Sequence, residues 1–165
     1  MRKAVWSAIS AAAMVLAFST SAFAQLDTET INATAVVAAR GRITLTGVIN
    51  FPDTDPFTNP TINAAPLSVQ ALARVAVGAG VSLTVQAGGD FISGTDSIAI
   101  GNLSWASAGA GYTAAGTMSS AAAQSVGGWT GPGARNGTQT YTLVNDWNYA
   151  PGNYSVTLTY TLTTP

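Results

Sequence analysis

Cysteine and histidine are absent from the 165 residues, and charged side chains make up only 8% of them. Without thiol or imidazole there is no cysteine nucleophile, no Ser-His-Asp triad and no zinc site of the usual kind. No disulfide can brace an exported domain of this sequence, so burial and strand pairing must hold it. Lysine occurs only at position 3. Beyond residue 24 the cations are Arg40, Arg42, Arg74 and Arg135, set against Asp27, Glu29, Asp53, Asp55, Asp90, Asp96 and Asp146, a net of 4 minus 7, or −3. Four arginines scattered along the chain make no basic patch, and no nucleic-acid partner is expected.

The first 24 residues have the layout of a secretory signal peptide. Arg2 and Lys3 precede an apolar stretch from Ala4 to Phe18, and Ala22-Phe23-Ala24 supplies a small-x-small cleavage pattern before Gln25. No later apolar run is long enough to cross a bilayer as a helix, so the mature chain is expected to be exported without membrane insertion. Periplasm, cell surface and the extracellular space are the compartments this predicts. Residues 25–165 then form a single domain.

What the chain does have is alternation with a period of two. Tyr154, Val156, Leu158, Tyr160 and Leu162 alternate with Ser and Thr, which sends every large side chain to one face of a strand. Ile43 to Phe51, Leu67 to Val77 and Val81 to Ala87 repeat the pattern, with Gly78-Ala79-Gly80 between the last two reading as a hairpin. Ile98, Ile100 and Leu103 to Trp105 suggest a further strand, and Gln139, Tyr141 and Leu143 one that partners the last. Prolines at 52, 56, 60 and 66 keep that stretch out of any central strand. Gly127-Gly128, Gly131-Pro132-Gly133 and Asn136-Gly137 read as a long loop ending in a tight turn. The pattern predicts an all-β fold, an antiparallel immunoglobulin-like β-sandwich of about seven strands.

Both ends of the mature chain carry a resemblance. Ile31-Asn32-Ala33-Thr34-Ala35-Val36-Val37-Ala38-Ala39-Arg40, running into Ile43-Thr44-Leu45 and Ile49-Asn50-Phe51, resembles the opening of spore coat protein U-like domains and archaic chaperone-usher pilins, the subunits of fimbriae. Gly152-Asn153-Tyr154-Ser155-Val156-Thr157-Leu158-Thr159-Tyr160 is similar to their closing strand, with Val156 where that family has Asp. The resemblance implies a sandwich lacking one strand, whose groove is filled by the N-terminal extension of the next subunit. Carried onto this chain, residues 28–37 are the donor, with Ile31, Ala33, Ala35 and Val37 entering the neighbour's groove. It also implies a homo-oligomer or fibre, a periplasmic chaperone and an outer-membrane usher. From the residues alone, 28–37 reads first as the opening strand of its own sheet.

Other candidate sites are aromatic and acidic. Trp129 in a glycine-rich stretch, with Trp147 and Tyr149 before the last strand, offers loop rings that stack on a sugar or anchor a protein; the same rings also serve to cap the ends of a sandwich. Asp53 and Asp55 with Asp90 and Asp96 hold carboxylates of the kind calcium takes, although Asp in turns also caps backbone N–H groups. No spacing brings out a catalytic acid, base or nucleophile, so no enzyme and no cofactor are expected. The composition, pattern and resemblance lead to a non-catalytic structural or adhesive protein of the cell surface, assembling by strand addition. The alternative is a monomeric exported module that binds polysaccharide or protein.

Overall fold

The structure, a computed structural model, describes residues 29–112 and 114–164; the expected signal peptide at 1–24 and the first donor residue, Thr28, lie outside the described residues. The chain divides into Met1–Ala35 and Val36–Pro165. Residues 29–35 carry no strand and are exposed. Every strand among the described residues belongs to the second unit.

Two strands with strict alternation set its layers. Strand β3, Leu67–Arg74, buries Leu67, Val69, Ala71 and Ala73 on one face and leaves Ser68 and Gln70 outside. Strand β4, Gly80–Ala87, buries Val81, Leu83, Val85 and Ala87. Each strand is central in its own sheet, so its apolar face has neighbours on both sides as well as across the core. Around β3 runs the order β1 (Arg40–Thr46), β3, β10 (Gly133–Val144), β7 (Leu103–Gly109) and β8 (Gly116–Thr117), while β2 (Thr61–Asn63) pairs with the far end of β10. Around β4 runs the order β11 (Leu158–Thr163), β4 and β9 (Gln124–Thr130). A small hairpin joins β5 (Phe91–Ser93) to β6 (Asp96–Ile98). Every pairing is antiparallel. The result is an all-β sandwich whose core contains Val69, Leu83, Val85, Leu103, Tyr112, Val126 and Tyr141.

Several expectations about turns are corrected by this topology. Gly78-Ala79-Gly80 does not close a hairpin, because β3 and β4 belong to different sheets and the connection carries the chain across the core. The last strand does not pair with Tyr141's strand; β11 pairs with β4, Leu158 opposite Ala87 and Leu162 opposite Leu83. Its ladder starts at Leu158, with Ser155 making only an isolated bridge to Ile92.

The glycine pairs are not turns either. Asn136-Gly137 runs through the middle of β10, where Gly137 pairs with Val69 on one side and Gly109 on the other. A Cβ at Gly137 would collide with the ring of Tyr112, so glycine is there for space. Gly127-Gly128 lies within β9, and a Cβ at Gly127 would run into the carbonyl oxygen of Gly111. Local reading takes such glycines for turn formers, whereas close approach between layers is what requires them.

Candidate functional site

The two sides of the sandwich differ. On the β9 side the sheets are laced by backbone hydrogen bonds: Gly128 N–H donates to the Gly111 carbonyl at 2.9 Å and Ala87 N–H to the Ser119 carbonyl at 3.1 Å. On the other side β1 and β11 are the edge strands, and among the described residues no backbone hydrogen bond joins them. They run in opposite directions along a seam. Gly41 lies near Leu162 at one end, and Phe51 lies near Tyr154 at the other.

Side chains lining this seam are inward-facing yet incompletely covered. Ile43 and Leu45 stand opposite fully buried Ala71 and Val69 in the neighbouring strand, but Ile43 is only half-buried and Leu45 is 44% exposed. Leu158, Tyr160 and Leu162 stand opposite buried Ala87, Val85 and Leu83, and all three are half-buried. One step inward from the edge on either sheet the core is dry; at the edge it is open. Toward the Phe51 end the seam widens into a depression of about 380 Å³ whose walls include Ile49, Phe51, Phe91, Leu103, Leu143, Tyr154, Val156 and Leu158. A sheet edge with unpaired backbone groups beside open apolar side chains is the surface that accepts another strand.

A polar clamp fixes the inner wall of the seam. Tyr160 on β11 donates from its hydroxyl to Gln139 Oε1 on β10, and the Tyr141 hydroxyl lies 2.6 Å from that of Tyr160. Gln139 in turn donates from Nε2 to Ser107 Oγ at 3.4 Å. Burial pushes the Tyr160 hydroxyl far above its ordinary value, and the neighbouring Tyr141 adds to the shift. Burial raises Tyr141 as well, partly offset by its bond to Tyr160. Both phenols therefore stay protonated and act as donors. The clamp ties an edge strand of one sheet to a central strand of the other, holding Leu158 and Leu162 in position on either side of it.

The expected donor residues stand outside the sheets. Residues 29–39 carry no strand, so 29–37 is not the first strand of the sheet; that place belongs to Arg40–Thr46. Ile31 is 94% exposed and Val36 99%, and Ala33, Ala35 and Val37 are exposed too. Ile31, Ala33 and Ala35 alternate with Asn32 and Thr34, as along an extended strand, and the alternation ends at Val36.

The three aromatics do not gather. Trp129 is on β9, not on a loop; its half-buried ring packs against the core and carries the Arg135 guanidinium 5.5 Å from its centroid. Its indole N–H is enclosed without a hydrogen-bond partner. Trp147 and Tyr149 follow the far end of β10, at the opposite end of the sandwich. Tyr149 is half-buried, accepts from Asn102 Nδ2 at 3.0 Å, and has its hydroxyl raised by burial and by nearby Asp146. Only Trp147, 72% exposed, presents a free ring.

The acidic candidates serve the backbone. Asp55 Oδ1 accepts from Phe57 N–H, Asp90 Oδ1 from Ile100 N–H and Asp146 Oδ1 from Asn148 N–H. Among the described residues no group of three acidic side chains gathers as metal ligands would. Nor does any described helix have the length and apolarity to cross a membrane. What sequence reasoning missed is the pair of partly covered edge strands, β1 with β11, together with Gln139. The clean alternation of Tyr154 to Leu162 pointed to a buried face, but gave no sign that one flank of it stays open.

No protein-family model matches the chain, and no curated protein does.

Proposed function

We propose that the protein is a non-catalytic structural subunit of a surface fibre, pilus or coat, in which each copy inserts its N-terminal segment into the open seam of the next. The observation carrying this reading is the pair of edge strands β1 and β11, whose inward-facing side chains are half-covered although their immediate neighbours are fully buried. Strand β11 together with the four residues before it, 154–163, spans ten residues, roughly 30 Å when extended, which equals the length of residues 28–37. Ile31, Ala33, Ala35 and Val37 then complete the core of the neighbour, with Ile43, Leu45, Leu158 and Leu162 beside them. An open apolar edge needs cover before assembly, and a periplasmic chaperone with an outer-membrane usher would give it.

The experiment exports the chain behind residues 1–24, runs the unheated extract on a denaturing gel beside a boiled sample, and repeats both with residues 28–37 deleted. A ladder of multiples that collapses on boiling, and vanishes with the deletion, is the expected result. A monomer band from the full chain, together with failure of the truncated chain to take up a synthetic 28–37 peptide, overturns the reading.

A further inference from the structure

The arginines, scattered in sequence, converge in the fold. Arg40 and Arg74 are direct cross-strand partners, and Arg42 lies two residues on. All three border one shallow depression of about 470 Å³ with Gly133 on its floor. Arg135 is two residues from Gly133, opposite Ala71. The only side-chain hydrogen bond an arginine makes among the described residues runs from Arg135 Nη1 to the neighbouring Ala134 carbonyl. Arg40, Arg42 and Arg74 are exposed.

The aspartates of the sandwich lie at its opposite end. Strand β1 starts at the arginines and leads toward Asp53 and Asp55; β10 starts there too and ends before Asp146. Asn145 Nδ2 donates to the Thr54 carbonyl at 3.0 Å, which ties those two loops together. Asp90 follows the same end of β4 and leads into the hairpin of β5 and β6, at whose turn Asp96 stands opposite Ser93. All five are exposed. Four cations at one end and five anions at the other make the sandwich of each copy electrostatically polar along its strands.

From this we infer that a second contact accompanies the strand insertion: the arginine end of one copy docks on the aspartate loops of the next. The inference rests on the strand-addition reading and adds a partner surface and a direction to it. The N-terminal segment leaves the body at Arg40, among the arginines. When that end approaches the aspartate end of a second copy, the segment meets the wide mouth of the seam between Phe51 and Tyr154. The opposite approach sets arginine against arginine. Complementary ends of this kind raise encounter rates and reject the wrong orientation more than they add affinity, and salt screens them.

The test uses two exported full-length variants, one with Arg40→Glu, Arg42→Glu and Arg74→Glu, the other with Asp53→Arg, Asp55→Arg and Asp146→Arg. Uptake of the 28–37 peptide by truncated forms of both serves as the check on folding and on the seam. Each variant alone is expected to build its ladder about tenfold or more slowly than the parent at low salt while taking up the peptide normally. Mixing the two variants restores assembly, because glutamate ends then face arginine loops. High salt removes the difference between parent and variants. Unchanged ladder rates in both variants overturn the docking and leave strand insertion standing. Slow ladders that mixing does not restore also overturn it, and assign the arginines to an anionic partner other than a second copy. A parent that forms no ladder and takes up no peptide overturns both readings together.

Discussion

The hydroxyls of Tyr141 and Tyr160 lie 2.6 Å apart, one from each sheet of the sandwich, and both share Gln139 as a partner. This buried contact ties an edge strand to the opposite layer by polar bonds as well as packing. Replacing Tyr160 by Phe removes a donor and leaves the Gln139 carbonyl oxygen without its nearest one. A loss of about 1–3 kcal/mol is expected, measured by urea unfolding. Gln139→Leu in the Tyr160→Phe background strips the buried Tyr141 hydroxyl of both its partners, so part of the loss is expected to return only when Tyr141→Phe is added as well.

The same phenols make the fold sensitive to alkali. Burial holds Tyr160, Tyr141 and Tyr112 above the ordinary tyrosine value in the folded chain. The unfolded chain releases these protons near pH 10 while the folded chain keeps them, so above that point the unfolded state binds fewer protons and gains stability relative to the fold. Stability from this source is complete below about pH 10 and falls as pH rises further toward the folded values. Urea midpoints between about pH 8 and about pH 11 read the slope, and Tyr160→Phe is expected to make it shallower.

In the proposed assembly, strand acceptance and monomer stability are separable at the seam. Leu45→Asp replaces a side chain that is 44% exposed and is expected to cost the truncated monomer less than about 1 kcal/mol. It places a carboxylate in the path of the incoming strand, so peptide uptake and the ladder should both be lost. Val69→Asp, in the neighbouring strand opposite Leu45, buries an unpaired charge and should prevent folding altogether. Equal effects of the two substitutions on stability would mean that the seam is closed in solution.

Trp129 tests whether the half-buried indole caps the core or waits for a ligand. Its N–H is enclosed without a partner, so Trp129→Phe removes an unmet donor and is expected to be neutral or slightly stabilising. Trp129→Ala should cost about 3 kcal/mol through lost packing and the lost stacking of Arg135. Thermal melts distinguish the outcomes: a Trp129→Ala chain that melts like the parent speaks against the capping role.

Gly137 sits mid-strand against the Tyr112 ring. Gly137→Ala forces Tyr112 or the β10 backbone to move, at an expected cost of about 1–3 kcal/mol in denaturant unfolding. Were Gly137 a turn former, alanine would instead disturb only a surface loop.

The division between what was legible in the chain and what was not follows the range of the forces concerned. Alternation determined which residues face the core, because side chains along an extended backbone must point to opposite sides; Leu67, Val69, Ala71 and Ala73 are buried as that pattern requires. Composition determined an all-β fold, since Thr, Val and Ile with interspersed Gly suit pleated strands and no segment beyond residue 24 has a sustained helical period. Pairing is a different matter, because any alternating strand can lie beside any other. Only the tertiary structure decided that β3 crosses to a different sheet from β4, that β11 lies beside β4, and that Gly127 and Gly137 are close-approach positions inside strands. It alone brought Arg40, Arg42 and Arg74 to one end and left the β1 and β11 edges without a ladder between them, since both outcomes depend on where distant strands stop in space and not on what their neighbours in sequence are.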